Sequence, residues 1–227
     1  MFERLEKIID KNSFNRIQNT TVAVIGIGGV GGYVVETLIR NGIKNIIIVD
    51  KDEVDITNKN RQIIATDNTI GKSKVDVFEE RILSINNNCN VTKLNIFLND
   101  ENKEELFKYN IDYIVDACDT VKTKLMLIKE CLERNIKIIS SMGTGNKMNP
   151  KKLEITTLKK TNYDPLAKAI RHEVKKLGIT EDIYVLSSTE EPIKTNNRTP
   201  SSYSVVPNIA GILIADYIIK DIIKQGN

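Results

Sequence analysis

Apolar residues in the first part of the chain alternate between short β-branched runs and segments with helical spacing. The run Thr21–Ile25 is apolar and is followed by glycines, which predicts a buried parallel strand. Residues Gly31–Arg40 place apolar side chains on one helical face, and the Asn-Gly pair that follows is a typical helix stop. A second apolar run, Asn45–Val49, ends at Asp50. Together these segments predict a β-α-β unit.

The same alternation continues as far as residue 145. Apolar residues at helical spacing predict further helices at 72–85, 102–109 and Val121–Arg134. Short apolar or alternating runs predict further strands at 91–96, 113–115 and 137–140. Because strands alternate with helices, we expect an α/β fold of the Rossmann type, with a doubly wound and mostly parallel sheet.

The pattern changes after the Gly-Thr-Gly sequence at 143–145. An added antiparallel strand, a helix, a short strand, a polar loop and an apolar helix are predicted at 153–158, 165–177, 184–187, 189–204 and 207–223. We interpret this part as a C-terminal antiparallel and helical extension, because a chain of 227 residues is somewhat short for two full domains. The chain is thus predicted to be one domain with an arm (1–20), a nucleotide-binding core (21–145) and an extension (146–227).

Composition sets the class of protein. The chain has 227 residues, with 41% hydrophobic and 28% charged residues, which is typical of a soluble protein with one sizeable core. No apolar run reaches the roughly 18 residues that a membrane span needs, and the charged N-terminus does not resemble a secretory signal. The three cysteines form no C-x-x-C pair, which argues against zinc and against a disulfide framework. We therefore expect a cytoplasmic protein without zinc and without a membrane partner.

The strongest chemical motif is a glycine loop between the first strand and the first core helix. Gly26, Gly28 and Gly31 satisfy G-x-G-x-x-G, and Gly29 lies in the same loop. Such a loop lets the backbone approach a phosphate at a helix N-terminus. Asp50, at the end of the second strand, stands where a ribose-binding carboxylate is expected, although a turn aspartate would fit the same position.

The residues after the second strand bear on which nucleotide is bound. A protein that binds NAD accounts for the glycine loop and Asp50 equally well. However, Asp52, Asn58, Arg61 and Gln62 crowd the following segment, and Lys74 begins the next predicted helix. Cations placed beside phosphates suit an enzyme that cleaves ATP, because charge shifts there in the transition state. The pattern therefore favours ATP over NAD.

A later strand ends in two aspartates, Asp116 and Asp119. Ligands bind at the carboxyl edge of such a sheet, so Asp119 is a candidate magnesium ligand beside the phosphates of ATP. A carboxylate that only caps the helix beginning at Val121 explains the same residue without a metal.

Five motifs resemble the ubiquitin-activating-enzyme-like (ThiF/MoeB/HesA) adenylation family, which includes the activating enzymes of thiamine and molybdopterin synthesis. They are VIGIGGVG at 24–31, VDKD at 49–52, TNKNRQ at 57–62, GKSK at 71–74 and DACD at 116–119. The resemblance implies a homodimeric enzyme that uses ATP and magnesium to adenylate a carboxylate.

The same resemblance implies roles for individual residues. The implied nucleotide-binding residues are Gly26, Gly28, Gly29, Gly31, Asp50, Asp52, Asn58, Arg61, Gln62 and Lys74. Arg61 and Lys74 would act on the triphosphate, and Asp119 would hold magnesium. Arg4 resembles an arginine that reaches the ATP site of the partner subunit, although an exposed N-terminal arginine without a role fits equally well.

Four further motifs match the branch of the family that cyclises threonylcarbamoyladenosine in tRNA. They are NKNRQI at 58–63, SSMG at 140–143, DPLA at 164–167 and PSS at 200–202, with a looser match at 180–199. The resemblance implies that the threonine carboxylate is adenylated and then closed into a ring. The alternative is an activator of a small sulfur-carrier protein, but no cysteine follows Cys131 to serve as a thioester nucleophile. A sulfur-transfer protein remains open as a further partner.

The charge of the chain is small overall but uneven. Net charge is +3, yet residues 147–176 carry nine basic side chains against three acidic ones. A tRNA substrate would be held mainly through its phosphates, so this stretch is a candidate tRNA-binding surface. The candidate residues are Lys147, Lys151, Lys152, Arg171, Lys175 and Lys176. A solvated lysine-rich face without a nucleic-acid partner is the equal alternative.

Overall fold

The strands of this chain form one sheet. Within residues 1–196 and 200–225, which the computed structural model describes, the strands are β1 (Thr21–Ile25), β2 (Asn45–Val49), β3 (Asn90–Leu94), β4 (Tyr113–Asp116), β5 (Lys137–Ser141), β6 (Leu153–Thr157) and β7 (Tyr184–Ser188). The helices are α1 (Lys11–Asn19), α2 (Gly31–Arg40), α3 (Lys74–Ile85), α4 (Glu104–Phe107), α5 (Val121–Arg134), α6 (Pro165–Lys176) and α7 (Val205–Lys224). Single turns of 3-10 helix lie at Ile56–Asn58, Pro150–Lys152 and Leu158–Lys160.

The sheet has the order β3-β2-β1-β4-β5-β7-β6, and every neighbouring pair is parallel except β6 with β7. The antiparallel pair is in register with Leu153 opposite Ser188. Strand order reverses between β1 and β4, and in such sheets ligands bind beside the carboxyl ends of the strands at that reversal. The predicted Rossmann-type fold with an antiparallel C-terminal addition is therefore confirmed.

Segment boundaries differ from the sequence prediction by a few residues. The predicted helix at 72–85 begins at Lys74, and the helix predicted at 102–109 shortens to Glu104–Phe107. The predicted strand at 91–96 is Asn90–Leu94. The loop predicted at 189–204 contains no helix or strand in its described residues, and residues 197–199 lie outside them.

The N-terminal arm contains a helix that the sequence pattern did not predict. Helix α1 begins after Asp10, whose carboxylate accepts a hydrogen bond from the backbone N–H of Ser13 at 2.9 Å. It buries two apolar side chains, Phe14 and Ile17. Two apolar positions in a nine-residue polar segment give too weak a period to predict a helix from sequence.

Helix α7 closes one face of the sheet. It packs most extensively on α2 and also contacts α1 and the strands of the C-terminal extension. The approach to α2 is close, since a Cβ atom on Gly211 would lie 2.3 Å from the carbonyl oxygen of Val30. Ile214 and Ile218 are fully buried in this contact. Among the described residues, no helix combines the length and the hydropathy that crossing a bilayer requires.

Candidate active site

A cavity of about 970 Å³ opens along the carboxyl ends of β1, β2, β4 and β5. One end is lined by the glycine loop, the residues after β2 and β4, and the segment 57–62. The other end is lined by residues 141–147, 164–166 and 200–202. The cavity therefore has room for a nucleotide together with a second molecule or group beside it.

The glycine loop adopts a shape that larger residues would block. Gly26 has a φ of +82°, and a Cβ atom there would lie 2.8 Å from the carbonyl oxygen of Ala117. A Cβ atom on Gly31 would lie only 1.9 Å from the carbonyl oxygen of Gly26. Gly28 and Gly29, in contrast, line the cavity, so their backbone is open to a bound phosphate. Gly31 thus serves the fold of the loop, whereas Gly28 and Gly29 face the ligand space.

Asp50 is fixed by the backbone on both sides. Its Oδ2 accepts a hydrogen bond from the N–H of Ile27 at 2.9 Å, and its Oδ1 accepts one from the N–H of Asp52 at 2.9 Å. These bonds tie the end of β2 to the glycine loop. Each carboxylate oxygen keeps a second lone pair, so Asp50 can still accept hydrogen bonds from a diol.

Lys74 is buried at the floor of the cavity. Its Nζ lies 2.9 Å from Asp52 Oδ2 and 3.7 Å from Asp50 Oδ1. Burial opposes ionisation of Asp52, but hydrogen bonds from Lys74 and Lys51 outweigh it and lower the pKa of Asp52. The two carboxylates therefore hold the ammonium group at the nucleotide end of the cavity.

Asn58 ends a turn of 3-10 helix that Asp55 caps, and Arg61 follows that turn. Asn58 Oδ1 accepts a hydrogen bond from the N–H of Asp55 at 3.1 Å, which closes a capping box. Arg61 Nη1 donates to the carbonyl of Thr57 and to Asn60 Oδ1, both at 2.9 Å. Both hydrogen bonds use one nitrogen, so the guanidinium is held beside the cavity while its other N–H groups can meet an anion.

Gln62 and Asp119 complete the nucleotide end. Gln62 Oε1 is buried, and no hydrogen-bond partner for it exists among residues 1–196 and 200–225, which leaves it ready for a donor on a bound molecule. Asp119 is exposed at the cavity wall, and the residue in the capping position before α5 is Thr120. In the described part of the chain, no group of three or more His, Cys, Asp or Glu side chains could hold a metal alone. A magnesium ion at Asp119 would therefore need ligands from the phosphates, which is how this ion often binds.

At the far end of the cavity, Asn146 is joined to Ser201 by two hydrogen bonds. Asn146 has a φ of +57°, and its N–H donates to the carbonyl of Ser201 at 2.8 Å. Its side-chain oxygen accepts from the N–H of Ser201 at 2.7 Å. Asn60, from the nucleotide side, donates to the carbonyl of Ser202 at 3.1 Å. The segment 200–202 at the far end is thereby fixed by hydrogen bonds to Asn146 and to Asn60.

Comparison with known proteins places this chain. A family model described as the ThiF family matches residues 2–227. The chain belongs to the ThiF family. It is 40% identical to the tRNA threonylcarbamoyladenosine dehydratase of Bacillus subtilis (strain 168), over 99% of this chain and 95% of that protein. It is 38% identical to the protein of the same name from Escherichia coli (strain K12), over 68% of this chain and 58% of that protein.

Solved structures agree with this assignment to the ThiF family. The crystal structure of E. coli tRNA N6-threonylcarbamoyladenosine dehydratase, TcdA, in complex with ATP superposes with a TM-score of 0.94. Sequence identity in that comparison is 29%, and it covers 99% of this chain and 94% of the other. The complex of the same enzyme with AMP gives a TM-score of 0.92 at 29% identity, over 97% and 93% of the two chains.

Most residues that the ThiF-type motifs predicted lie together. Those that line the cavity are Gly26, Gly28, Gly29, Asp50, Asp52, Asn58, Arg61, Gln62, Lys74 and Asp119. Gly31 lies behind them in the loop. Arg4 is exposed in the turns before α1 and does not line the cavity of its own chain.

The predicted tRNA-binding residues divide into two groups. Lys151, Lys152, Lys175 and Lys176 are exposed, as a phosphate-binding surface requires. Arg171 is partly buried and donates to the carbonyl of Thr161 at 2.6 Å. Lys147 departs from the prediction, because it is only 2% exposed and lines the cavity. Its place in a charged stretch suggested a surface residue, but the chain turns inward at residue 147.

A buried ion pair beneath the site was missed by the sequence analysis. Lys124 Nζ lies 3.0 Å from Asp116 Oδ2 and donates to the carbonyl of Ser141 at 2.8 Å, and both charged side chains are fully buried. Cys118 also donates to Asp116, and burial raises the pKa of its thiol. The one available signal was a lysine on the apolar side of a predicted helix. That signal is ambiguous, because a lysine in such a position often extends its charged end to solvent instead of being buried.

Proposed function

We propose that this protein uses ATP to adenylate the carboxylate of threonylcarbamoyladenosine in tRNA and then closes that group into a ring. The observation that carries the proposal is a cavity lined at one end by most of the residues that the ThiF-type motifs predict to bind a nucleotide, with an open second end. Near-full-length similarity to proteins named tRNA threonylcarbamoyladenosine dehydratase supports this choice of substrate. The overall reaction consumes ATP, yields AMP and pyrophosphate, and removes one water from the nucleoside.

The nucleotide end supplies the contacts for adenylation. Asp50 would accept hydrogen bonds from the ribose hydroxyls, and the backbone of Gly28 and Gly29 would meet the phosphates. A substrate carboxylate oxygen attacks the α-phosphorus, and pyrophosphate leaves. Arg61 and Lys74 would stabilise the negative charge that moves onto the leaving group. Magnesium held by Asp119 and the phosphates would add positive charge there.

Ring closure follows without an enzyme nucleophile. A nitrogen of the same substrate side chain attacks the activated acyl carbon, loses its proton, and AMP leaves with one former carboxylate oxygen. Holding both groups in one molecule replaces a bimolecular encounter. The cysteines fit this scheme, because burial raises the thiol pKa of Cys89, Cys118 and Cys131 and so disfavours the thiolate.

The experiment uses purified protein, ATP, magnesium and tRNA that carries threonylcarbamoyladenosine, followed by digestion and mass measurement of the nucleosides. We expect a nucleoside lighter by one water, formed only with ATP. Arg61→Ala should slow its formation at least about 100-fold, because a cation at the transferring phosphate is lost. Lys129→Ala, at an exposed lysine of α5, is the control and should retain activity.

A different result would redirect the substrate assignment. If the nucleoside mass stays unchanged and pyrophosphate exchange appears only with a small sulfur-carrier protein, the substrate is that protein and the tRNA proposal is wrong. If neither occurs and NAD binds tightly to wild type and Arg61→Ala alike, adenylation itself is wrong.

A homodimer in which Arg4 reaches the ATP site of the other subunit is part of this proposal. The exposed position of Arg4, away from its own cavity, supports it. Mixing inactive Arg4→Ala protein with inactive Arg61→Ala protein should restore up to about a quarter of wild-type sites, if subunits exchange and pair at random. A monomer in sedimentation, or full activity of Arg4→Ala, would contradict this part. Addition of a sulfur-transfer protein to the same assay tests whether it has any effect on turnover.

A further inference from the structure

The protein buries three lysines in its described part, and they differ in their partners. Lys74 lies 2.9 Å from Asp52, and Lys124 lies 3.0 Å from Asp116. Lys147 is only 2% exposed, yet no carboxylate within residues 1–196 and 200–225 lies within 4.0 Å of its Nζ. Its partner is the carbonyl oxygen of Ser188, at 3.3 Å.

The carboxylates whose charges act on Lys147 are those of Asp164 and Glu190, and both accept backbone hydrogen bonds. Asp164 accepts hydrogen bonds from the backbone N–H groups of Gly143 and Ala167, at 2.8 and 3.0 Å. Glu190 accepts hydrogen bonds from the N–H groups of Met148 and Asn149, the shortest being 2.9 Å. Both carboxylates are therefore oriented by backbone N–H groups, and among residues 1–196 and 200–225 neither forms a direct ion pair with Lys147.

An ammonium group in this position is costly to the folded protein. Taking a charge out of water without a paired opposite charge is unfavourable, which is why buried lysines are normally paired. Burial lowers the pKa of Lys147, while the charges of Asp164 and Glu190 act in the opposite direction. A protein that keeps such a group beside a cavity gains a site for an anion at the expense of stability.

The location of Lys147 in the cavity indicates which anion it would bind. Lys147 lines the end of the cavity formed by 141–147, 164–166 and 200–202, whereas Arg61 and Lys74 line the nucleotide end. An ammonium has three donors, and the bond to Ser188 uses one of them. We propose that Lys147 binds the carboxylate of the substrate's threonine side chain and holds it for attack on ATP. This inference rests on the proposed function.

The test is a comparison of two tRNAs with Lys147→Met, which keeps the length of the buried stem and removes the charge. Wild-type protein should bind tRNA that carries threonylcarbamoyladenosine more tightly than the same tRNA without that group. In Lys147→Met this preference should fall about tenfold or more, because a charged hydrogen bond to the carboxylate is lost. Affinity for ATP and for the unmodified tRNA should stay unchanged. Lys129→Met, at an exposed lysine of α5, is the matched control.

Further readouts separate binding from structure. In turnover, Lys147→Met should raise the KM for modified tRNA while leaving the KM for ATP unchanged. Its midpoint of thermal unfolding should be equal to or above that of wild type, because an unpaired buried charge has been removed. A lowered midpoint together with an unchanged tRNA preference would show a structural lysine and overturn the inference.

The remaining outcomes are also decisive. If Lys147→Met does not fold, Lys147→Gln replaces it, and an undiminished preference in that variant overturns the inference. If wild-type protein neither converts nor prefers the modified tRNA, the proposed function itself has failed, and the inference fails with it. Conversion by wild type with the preference retained in both variants contradicts only the role of Lys147.

Discussion

Individual glycines of the glycine loop have different roles, some in the fold of the loop and some in ligand binding. A Cβ atom on Gly31 would lie 1.9 Å from a backbone carbonyl, whereas one on Gly28 would lie 3.6 Å from the flexible end of Gln62. The first contact cannot be relieved without moving the loop. The second is an ordinary van der Waals distance, but it places a methyl group in the ligand space.

Gly31→Ala and Gly28→Ala should therefore fail in different ways. We expect Gly31→Ala to lower the free energy of unfolding by about 3 kcal/mol, because the added methyl group overpacks a rigid turn. Gly28→Ala should change it by less than about 1 kcal/mol but weaken ATP binding about tenfold or more. Urea unfolding and titration calorimetry on both variants measure these quantities. Equal losses of stability in the two variants would contradict this division.

Residue identities in the nucleotide site were predictable, but some contacts were not. Arg61, Lys74 and Asp119 stand in local motifs with fixed spacing, so a single sequence carries enough information to assign them. Lys147 is different, since its burial depends on where the chain turns after β5. Asn60 likewise gains its importance from a contact with Ser202, 142 residues away.

Whole elements are joined by charged side chains as well as by apolar packing. Glu36 on α2 receives hydrogen bonds from Arg81 on α3 at 2.7 and 3.0 Å and from Arg40 at 2.8 Å. Burial opposes ionisation of Glu36, but the hydrogen bonds from Arg81 and Arg40 outweigh it and lower its pKa. The ion pair between Glu36 and Arg81 joins α2 to α3, the two helices that flank the nucleotide site.

Glu36→Gln should destabilise the protein in a pH-dependent manner. A lowered folded-state pKa means that Glu36 contributes fully above its ordinary value of 4.5 and loses that contribution as pH falls through the lowered value. We expect a loss of about 2 kcal/mol at neutral pH that shrinks on acidification. Urea unfolding of both proteins across that range measures it. Glu133→Gln, at an exposed pair, is the control and should change stability by less than about 0.5 kcal/mol.

Helices and strands were predictable where burial of one or both faces gives the sequence a clear apolar pattern. Strands β1 and β2 are continuous apolar runs, because helices cover both sides of the sheet, and their bounds match the prediction. Helix α1 was missed because its stability comes from packing of Phe14 and Ile17 and from the Asp10 cap. A helix of that kind depends on its neighbours in space more than on its own pattern.

The molecule as a whole exposes four lysines of the basic stretch 147–176, which are Lys151, Lys152, Lys175 and Lys176. If tRNA binds there through its phosphates, affinity should fall steeply with salt concentration. Replacing Lys151 and Lys152 together by glutamate should weaken tRNA binding and reduce the slope of log affinity against log salt by about 2. Gel-shift titration at several salt concentrations measures the slope. The same change at Lys129 and Lys220 alters net charge equally, so an equal effect there would contradict a localised surface.

Helix α7 has a consequence for how the protein is made. It packs on α2 in the first half of the chain and on the strands of the C-terminal extension, and its Pro207 lines the nucleotide cavity beside Gly29. During synthesis the Rossmann half emerges from the ribosome long before α7 does. The nucleotide pocket therefore lacks part of its lining until α7 has been made, and a nascent chain halted before Val205 cannot complete it. Acquisition of ATP binding in this protein thus reports completed translation of the helix as well as correct folding.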